Sequence, residues 1–203
     1  MDRARFFDDL ADRWDGICDI ERVAASLHAG LAGMAINPSE HIVDIGCGTG
    51  TLLRCLLEVL GPEGTVHAVD ISPRMIERAR AKITDPRVSF AVTSADRLPT
   101  PDASVDRVFC FSCWPHIDEP VVVLAEFRRV LRPGGSLHVW HVDARETING
   151  IHRSAGDAVA NDTLEPADEL ANLLNDQEFD VHEVIDTPTE YRVSATLPAG
   201  RES

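Results

Sequence analysis

The strongest constraint on the fold is an alternation: short apolar segments that read as strands are each followed by a stretch with helical periodicity. "HIVDIG" leads into "TGTLLRCLLEVLG", where Leu52, Leu53, Leu56, Leu57 and Leu60 share one face, and "TVHAVDIS" leads into "SPRMIERARAKI", where Met75, Ile76, Ala79 and Ile83 do. Ser72 and Pro73 make an N-cap and first-turn pair for that second helix. "RVSFAVT", "SVDRVFCF" and "SLHVWHV" read as strands three to five, and "EPVVVLAEFRRVL" as a helix stopped by an "RPGG" turn at Arg132 to Gly135. Such alternation builds a parallel sheet with helices on both faces. The tail changes character: "PADELANLLND" is a short helix, and "FDVHEVIDT" and "TEYRVSATL" flank "PT" as a hairpin, so the sheet is expected to close with an antiparallel strand.

A chain of 203 residues suits one α/β domain over 1–203. Residues 1–33 read as one or two helices capping it, with Phe6, Phe7, Leu10 and Trp14 as an apolar stripe. Between the fifth strand and the last helix, residues 143–165 are too long for an ordinary connection and rich in small and polar residues, which marks a functional loop. With 34 Asp and Glu against 19 Lys and Arg, the net charge is -15, which repels a phosphate backbone and argues against nucleic acid as a partner. No run approaches the ~18 apolar residues of a membrane span, and "MDRARFFDDLADRWD" has no apolar signal core, so a cytoplasmic protein without a membrane partner is expected, as monomer or homodimer.

Five cysteines stand at 18, 47, 55, 110 and 113. Cys110 and Cys113 form a CxxC, but no second CxxC accompanies it and the segment reads as a buried strand, so core packing is the expectation rather than redox or metal chemistry.

"VDIGCGTGTL" places three glycines in five positions between the first strand and its helix. A loop stripped of side chains there lets backbone N–H groups approach a ligand at the carboxyl edge of the sheet. The dinucleotide fingerprint G-x-G-x-x-G is not met, because Thr51 stands where its last glycine would fall, and no G-x-x-x-x-G-K-[ST] occurs. A nucleotide-like ligand without a favoured pyrophosphate is implied.

At these residues the chain resembles the class I methyltransferases that use S-adenosylmethionine, in the small-molecule group with a D-x-G-x-G-x-G motif. Asp44, Gly46, Gly48 and Gly50 match that motif. "AVDIS" then puts Asp70 at the end of the second strand, "TSADRLP" puts Asp96 after the third, and "FCFSCWPHIDEP" and "EFRRVLRPGGSL" follow in order. The opener "FFDDLADRWD" is similar to one common in such enzymes. The resemblance covers roughly residues 6 to 142 and implies a Rossmann-like, mainly parallel seven-stranded sheet with an antiparallel last strand. It implies S-adenosylmethionine as cofactor. Asp70 would accept from both ribose hydroxyls, a use for which a carboxylate has enough lone pairs, and Asp96 from the adenine amino group, with Ile71 and Ala95 flanking the ring. Asp44 and the backbone around Cys47 would meet the cationic methionine end, and Phe111 closes the cofactor set.

Methyl transfer from a sulfonium is an in-line displacement that needs positioning more than a protein nucleophile, with a general base only where the acceptor must lose a proton. The candidates for acid–base work are His116, after the fourth strand, His141, at the end of the fifth, and His152 in the insertion. Trp14, Trp114, Asp143 and Asn149 are the candidates for acceptor binding, and His138 reads as a satisfied or surface strand residue. His141, Asp143 and His152 with Asp157 or Glu146 have metal-ligand types, but their spacing matches no metal signature and none is assigned. Two alternatives stay open: a non-catalytic sensor of the same cofactor, and a nicotinamide-dependent reductase, which Thr51 and the lack of a Tyr-x-x-x-Lys pair disfavour.

Overall fold

The computed structural model describes residues 3–17 and 19–199; Cys18 lies outside them. Three helices, α1 (Arg3–Leu10), α2 (Trp14–Ile17) and α3 (Ile20–Gly33), precede β1 (His41–Ile45). The alternating core follows as α4 (Thr51–Val59), β2 (Thr65–Asp70), α5 (Pro73–Lys82), β3 (Val88–Val92), β4 (Val105–Phe111), α6 (Pro120–Val130) and β5 (Leu131–His141). α7 (Arg145–Ala155), α8 (Ala167–Asp176), β6 (Asp180–Thr187) and β7 (Glu190–Thr196) complete it. The seven strands form one sheet in the order β3-β2-β1-β4-β5-β7-β6. β1 to β5 pair in parallel, whereas β7 runs antiparallel to both β5 and β6. The hairpin therefore folds back so that the last strand in sequence sits inside the sheet and β6 becomes its edge.

The two-residue period of the strands separates two cores. Val43, Ile45, Val108, Cys110, Leu137 and Val139 face α6 and α8, while Ile42, Val66, Ala68, Phe109 and Trp140 face α3 and α4. Leu52, Leu53 and Leu56 are buried as the helical period requires, and Leu57 is half-buried. α5 starts as expected: Ser72 Oγ accepts from the backbone N–H of Met75 at 3.0 Å and Pro73 occupies its first turn.

Two expectations are corrected. "RPGG" is not a free turn but an excursion inside β5. Val105 pairs with Leu131 and Arg107 with Ser136, so the extra residues bulge out, with Gly134 at φ +84 and its N–H bonded to Leu197 O at 2.7 Å. The stretch 143–165 is not one long loop, because residues 145–155 form α7. Its buried residues are Asn149 and His152, so the inward face is polar and the apolar period that announces a helix is missing.

Candidate active site

At the carboxyl ends of β1 to β4 lies a cavity of about 660 Å³, within the ~300–1,000 Å³ range of small-molecule sites. Its floor is the glycine loop. Gly46 and Gly48 have φ of +63 and +53, a left-handed backbone that L side chains rarely adopt, and a Cβ on Gly46 would meet Cys113 Cβ at 2.6 Å. Both glycines line the cavity, and the ring nitrogen of Trp14 stands 3.7 Å from where a Cβ on Gly48 would sit. Gly50 serves the helix instead, as the left-handed N-cap of α4, and a Cβ there would strike Ile83 at 2.7 Å. Cys47 is buried, its N–H bonded to Val69 O at 3.0 Å, and neither it nor Gly50 reaches the cavity wall.

Asp70 closes the loop from β2. One carboxylate oxygen accepts from Gly48 N–H at 2.9 Å and the other from Ser72 N–H at 2.8 Å. Burial raises its pKa, against the pull of those two N–H groups. Asp44, at the end of β1, is 1% exposed and its Oδ2 has no hydrogen-bond partner. Burial and then the charge of Asp70 push its carboxyl well above the ordinary range. Asp44 sits behind the bare loop rather than on the cavity wall, and a cation held at the loop would ease its ionisation beside Asp70. Asp96, Asp118 and Glu119 line the same cavity, opposed by Arg3. Ile71, Ala95 and Met75 give it apolar walls. This charge pattern is hostile to a pyrophosphate, which agrees with the missing dinucleotide fingerprint.

The other end of the cavity is formed by α1 and the insertion. His116 lines it, with Nδ1 2.6 Å from Asp162 Oδ2. Arg3 donates to both oxygens of Asp162, at 3.0 and 2.7 Å, and to Asp118 at 2.5 Å. Burial alone would raise the Asp162 pKa, but the hydrogen bonds from Arg3 and His116 outweigh it and hold the carboxyl below its ordinary range. Burial lowers the pKa of His116 despite its bond to Asp162. The two directions describe one state, a neutral imidazole donating Nδ1–H to a carboxylate, which leaves Nε2 with a free lone pair. Phe7 packs edge-on against His116 at 5.1 Å and against Trp14 at 6.0 Å between ring centroids, so the N-terminal stripe is half-buried against the cavity.

The remaining sequence candidates lie away from the cavity wall. His141 is 1% exposed, packs edge-on against Tyr191, and has its pKa lowered to about 3 by burial and then by His116 and His152, so it is a core residue. His152 packs against His116 at 4.7 Å and its Nδ1 meets Asp162 O at 2.8 Å; it supports His116 from behind. Asn149 spends its amide on the backbone of Leu164, donating at 3.0 Å and accepting at 2.7 Å, and so ties α7 to the end of the insertion. Trp114 is buried and donates to Glu165 at 2.8 Å. Asp143 pairs with Arg22 at 2.9 Å. Phe111 packs edge-on against Trp140 in the core beneath α3 and α4. His138 is buried rather than surface, satisfied by Arg107 at 2.8 Å and Ser194 at 2.9 Å. Among the described residues, no three His, Cys, Asp or Glu side chains come together as metal ligands.

The description "Methyltransferase domain" fits the family model that matches residues 42–135, the segment from β1 to the bulge of β5. Over that segment this chain is similar to the methyltransferase-domain family. The ubiquinone/menaquinone biosynthesis C-methyltransferase UbiE of Bordetella avium is 38% identical over 146 residues, which are 67% of this chain and 55% of that protein. Methyltransferase GfsG of Streptomyces halstedii is 28% identical over 189 residues, 88% of this chain and 66% of that protein. The chain thus spans about half to two thirds of the length of these curated relatives. A SAM-dependent methyltransferase from Aquifex aeolicus shares the fold at a TM-score of 0.76, with 22% identity over 92% of this chain and 98% of its own. So does the [4+2]-cyclase SpnF, at 0.70, with 20% identity over 86% of this chain and 82% of its own. The fold alone therefore does not fix the chemistry.

Arg3 carries no signal in the sequence, and Asp162 is one of several polar residues of the insertion that suit acceptor binding. Asp162 sits among small polar residues with no pattern to single it out from them, and Arg3 precedes the opener by three positions. Their juxtaposition, 159 residues apart in the chain, exists only in the fold.

Proposed function

We propose that this chain is a cytoplasmic methyltransferase that moves a methyl group from S-adenosylmethionine to a small-molecule acceptor carrying an acidic proton. The observation that carries the reading is the acidic cleft that Asp70 and Asp96 line beside the bare glycine loop, with Asp44 buried behind it, a donor set suited to a cationic nucleoside. S-adenosylmethionine supplies an activated methyl on a positively charged sulfur. Asp70 holds the ribose hydroxyls, Asp96 the adenine amino group with Ile71 and Ala95 beside the ring, and the loop carbonyls with Asp44 favour the charged end. α1 and α2 cover the cleft, and the 143–165 insertion reaches the far wall through Ala158, with Asp162 set behind His116.

The His116–Asp162 pair then does what a sulfonium cannot. Asp162, fixed by Arg3, holds the imidazole in the Nδ1–H form, and Nε2 takes the proton from a phenol, enol or similarly acidic group as it becomes nucleophilic. Phe7 and Trp14 exclude water and offer flat apolar surfaces to the acceptor. A cofactor-binding sensor would need no such base at the cavity wall. Incubating the protein with methyl-labelled cofactor and a metabolite extract, then identifying labelled products by mass, tests the reading. Label in a small molecule bearing an oxygen or carbon acid is expected; bound cofactor with no labelled product would instead support the sensor.

A further inference from the structure

Methyl transfer leaves the CxxC of β4 without a role. Cys110, 0% exposed, lies in β4, and two residues on Ser112 turns the chain at φ +53, unusual for a side chain outside glycine. That turn brings Cys113 Sγ to 2.8 Å from Cys110 Sγ. The Cys113 thiol also donates to the carbonyl of Ile45 at 3.0 Å, lies against Gly46, and lines the cavity. One sulfur thus touches both its partner thiol and the first residues of the glycine loop. Cys47 and Cys55 differ, since each bonds only a local backbone carbonyl at 3.7 Å.

We infer that Cys110 and Cys113 are a thiol-oxidation site whose reversible disulfide weakens cofactor binding. The inference rests on the reading of the cleft given above. Cys113, reached through the cavity, attacks a small hydroperoxide: its sulfur takes one peroxide oxygen to become a sulfenic acid, and an alcohol or water leaves. The Cys110 sulfur then displaces that oxygen as water, so two thiols lose two hydrogens and one O–O bond is reduced. A dithiol reverses the reaction by two exchanges. Disulfide sulfurs lie about 2.05 Å apart, so closure draws the Cys113 sulfur toward Cys110 and removes the S–H that Ile45 O accepts, next to Gly46. Burial pushes the Cys113 thiol upward, which makes oxidation slow at neutral pH and faster in alkali.

The test uses the full chain, reduced with dithiothreitol, desalted and treated with hydrogen peroxide. Mass analysis of the tryptic peptide carrying both cysteines is expected to show the loss of two hydrogens. S-adenosylmethionine affinity by calorimetry is expected to fall at least fivefold and return on re-reduction. Cys110→Ala is expected to bind like the reduced wild type and to escape the reversible loss; the same loss in that variant would overturn the disulfide as cause. Two alkylatable thiols after peroxide, or a formed disulfide with unchanged affinity, would overturn the inference in the wild type alone. Failure of the reduced protein to bind the cofactor would count against the cleft reading, and the peptide mass would still decide whether the disulfide forms.

Discussion

Asp44 and Asp70 carry the account at the level of single residues. Replacing the Asp44 carboxyl by an amide of the same shape removes the cost of ionising a buried group beside Asp70, so Asp44→Asn is expected to raise the melting temperature of the ligand-free protein while weakening the cofactor; a lower melting temperature would show that Asp44 is already compensated. Gly46→Ala forces a side chain into a left-handed backbone and against Cys113, and a loss of roughly 1–3 kcal/mol in denaturant unfolding is expected. At the other end of the cavity, Asp162→Asn leaves His116 without an anionic partner. Methyl transfer is expected to fall about 10²-fold or more, the low end of the range for acid–base groups, with cofactor affinity unchanged. A fall confined to cofactor affinity would mean that the pair only shapes the wall. Since burial keeps His116 neutral, the rate should climb through a pKa below the ordinary 6.5 and be level at neutral pH.

Among elements, the N-terminal helices decide whether the cleft is covered. Asp8 accepts from Ser72 Oγ at 2.5 Å and Arg74 N–H at 3.1 Å, Asp12 pairs with Arg74 and Arg78, and Asp15 with Lys82 and Thr49. Acidic residues of α1, α2 and the turn between them thus grip the basic face of α5, and Arg3 grips the insertion. Exposed ion pairs contribute ~0–1 kcal/mol each and are screened by salt, so the attachment is built to loosen. Rising salt is expected to increase proteolytic cleavage near α1 and α2 without lowering the melting temperature of the sheet; uniform protection would show a fixed cap. The same contrast explains what was legible in the sequence. The sheet, α4 to α6 and the positions of Gly46 and Gly48 followed from periodicity, caps and glycine spacing, which act within a few residues, whereas Asp70 stood out only through the family resemblance. α7 was hidden because Asn149 and His152 face inward, and His141 was misplaced because alternation tells which side of a strand a residue takes but not whether Tyr191 and the hairpin cover it. Arg3, Asp162 and His116 meet through tertiary contacts that no local pattern encodes.

The whole molecule is acidic and yet keeps three histidines close together inside it, His116, His141 and His152. For His141 the folded pKa of about 3 lies below the ordinary 6.5. Between those values the unfolded chain binds a proton that the folded one refuses, so stability falls as pH drops from about 6.5 toward 3. His141→Leu is expected to flatten the melting temperature across that window; an unchanged slope would place the acid sensitivity elsewhere. The central claim, that this sheet edge grips an adenosyl sulfonium, is tested most directly by calorimetric titration of S-adenosylmethionine into the wild type and Asp70→Ala. One site per chain, weakened at least tenfold in the variant, is the result predicted. No binding to the folded wild type, or equal affinity in both proteins, would contradict it.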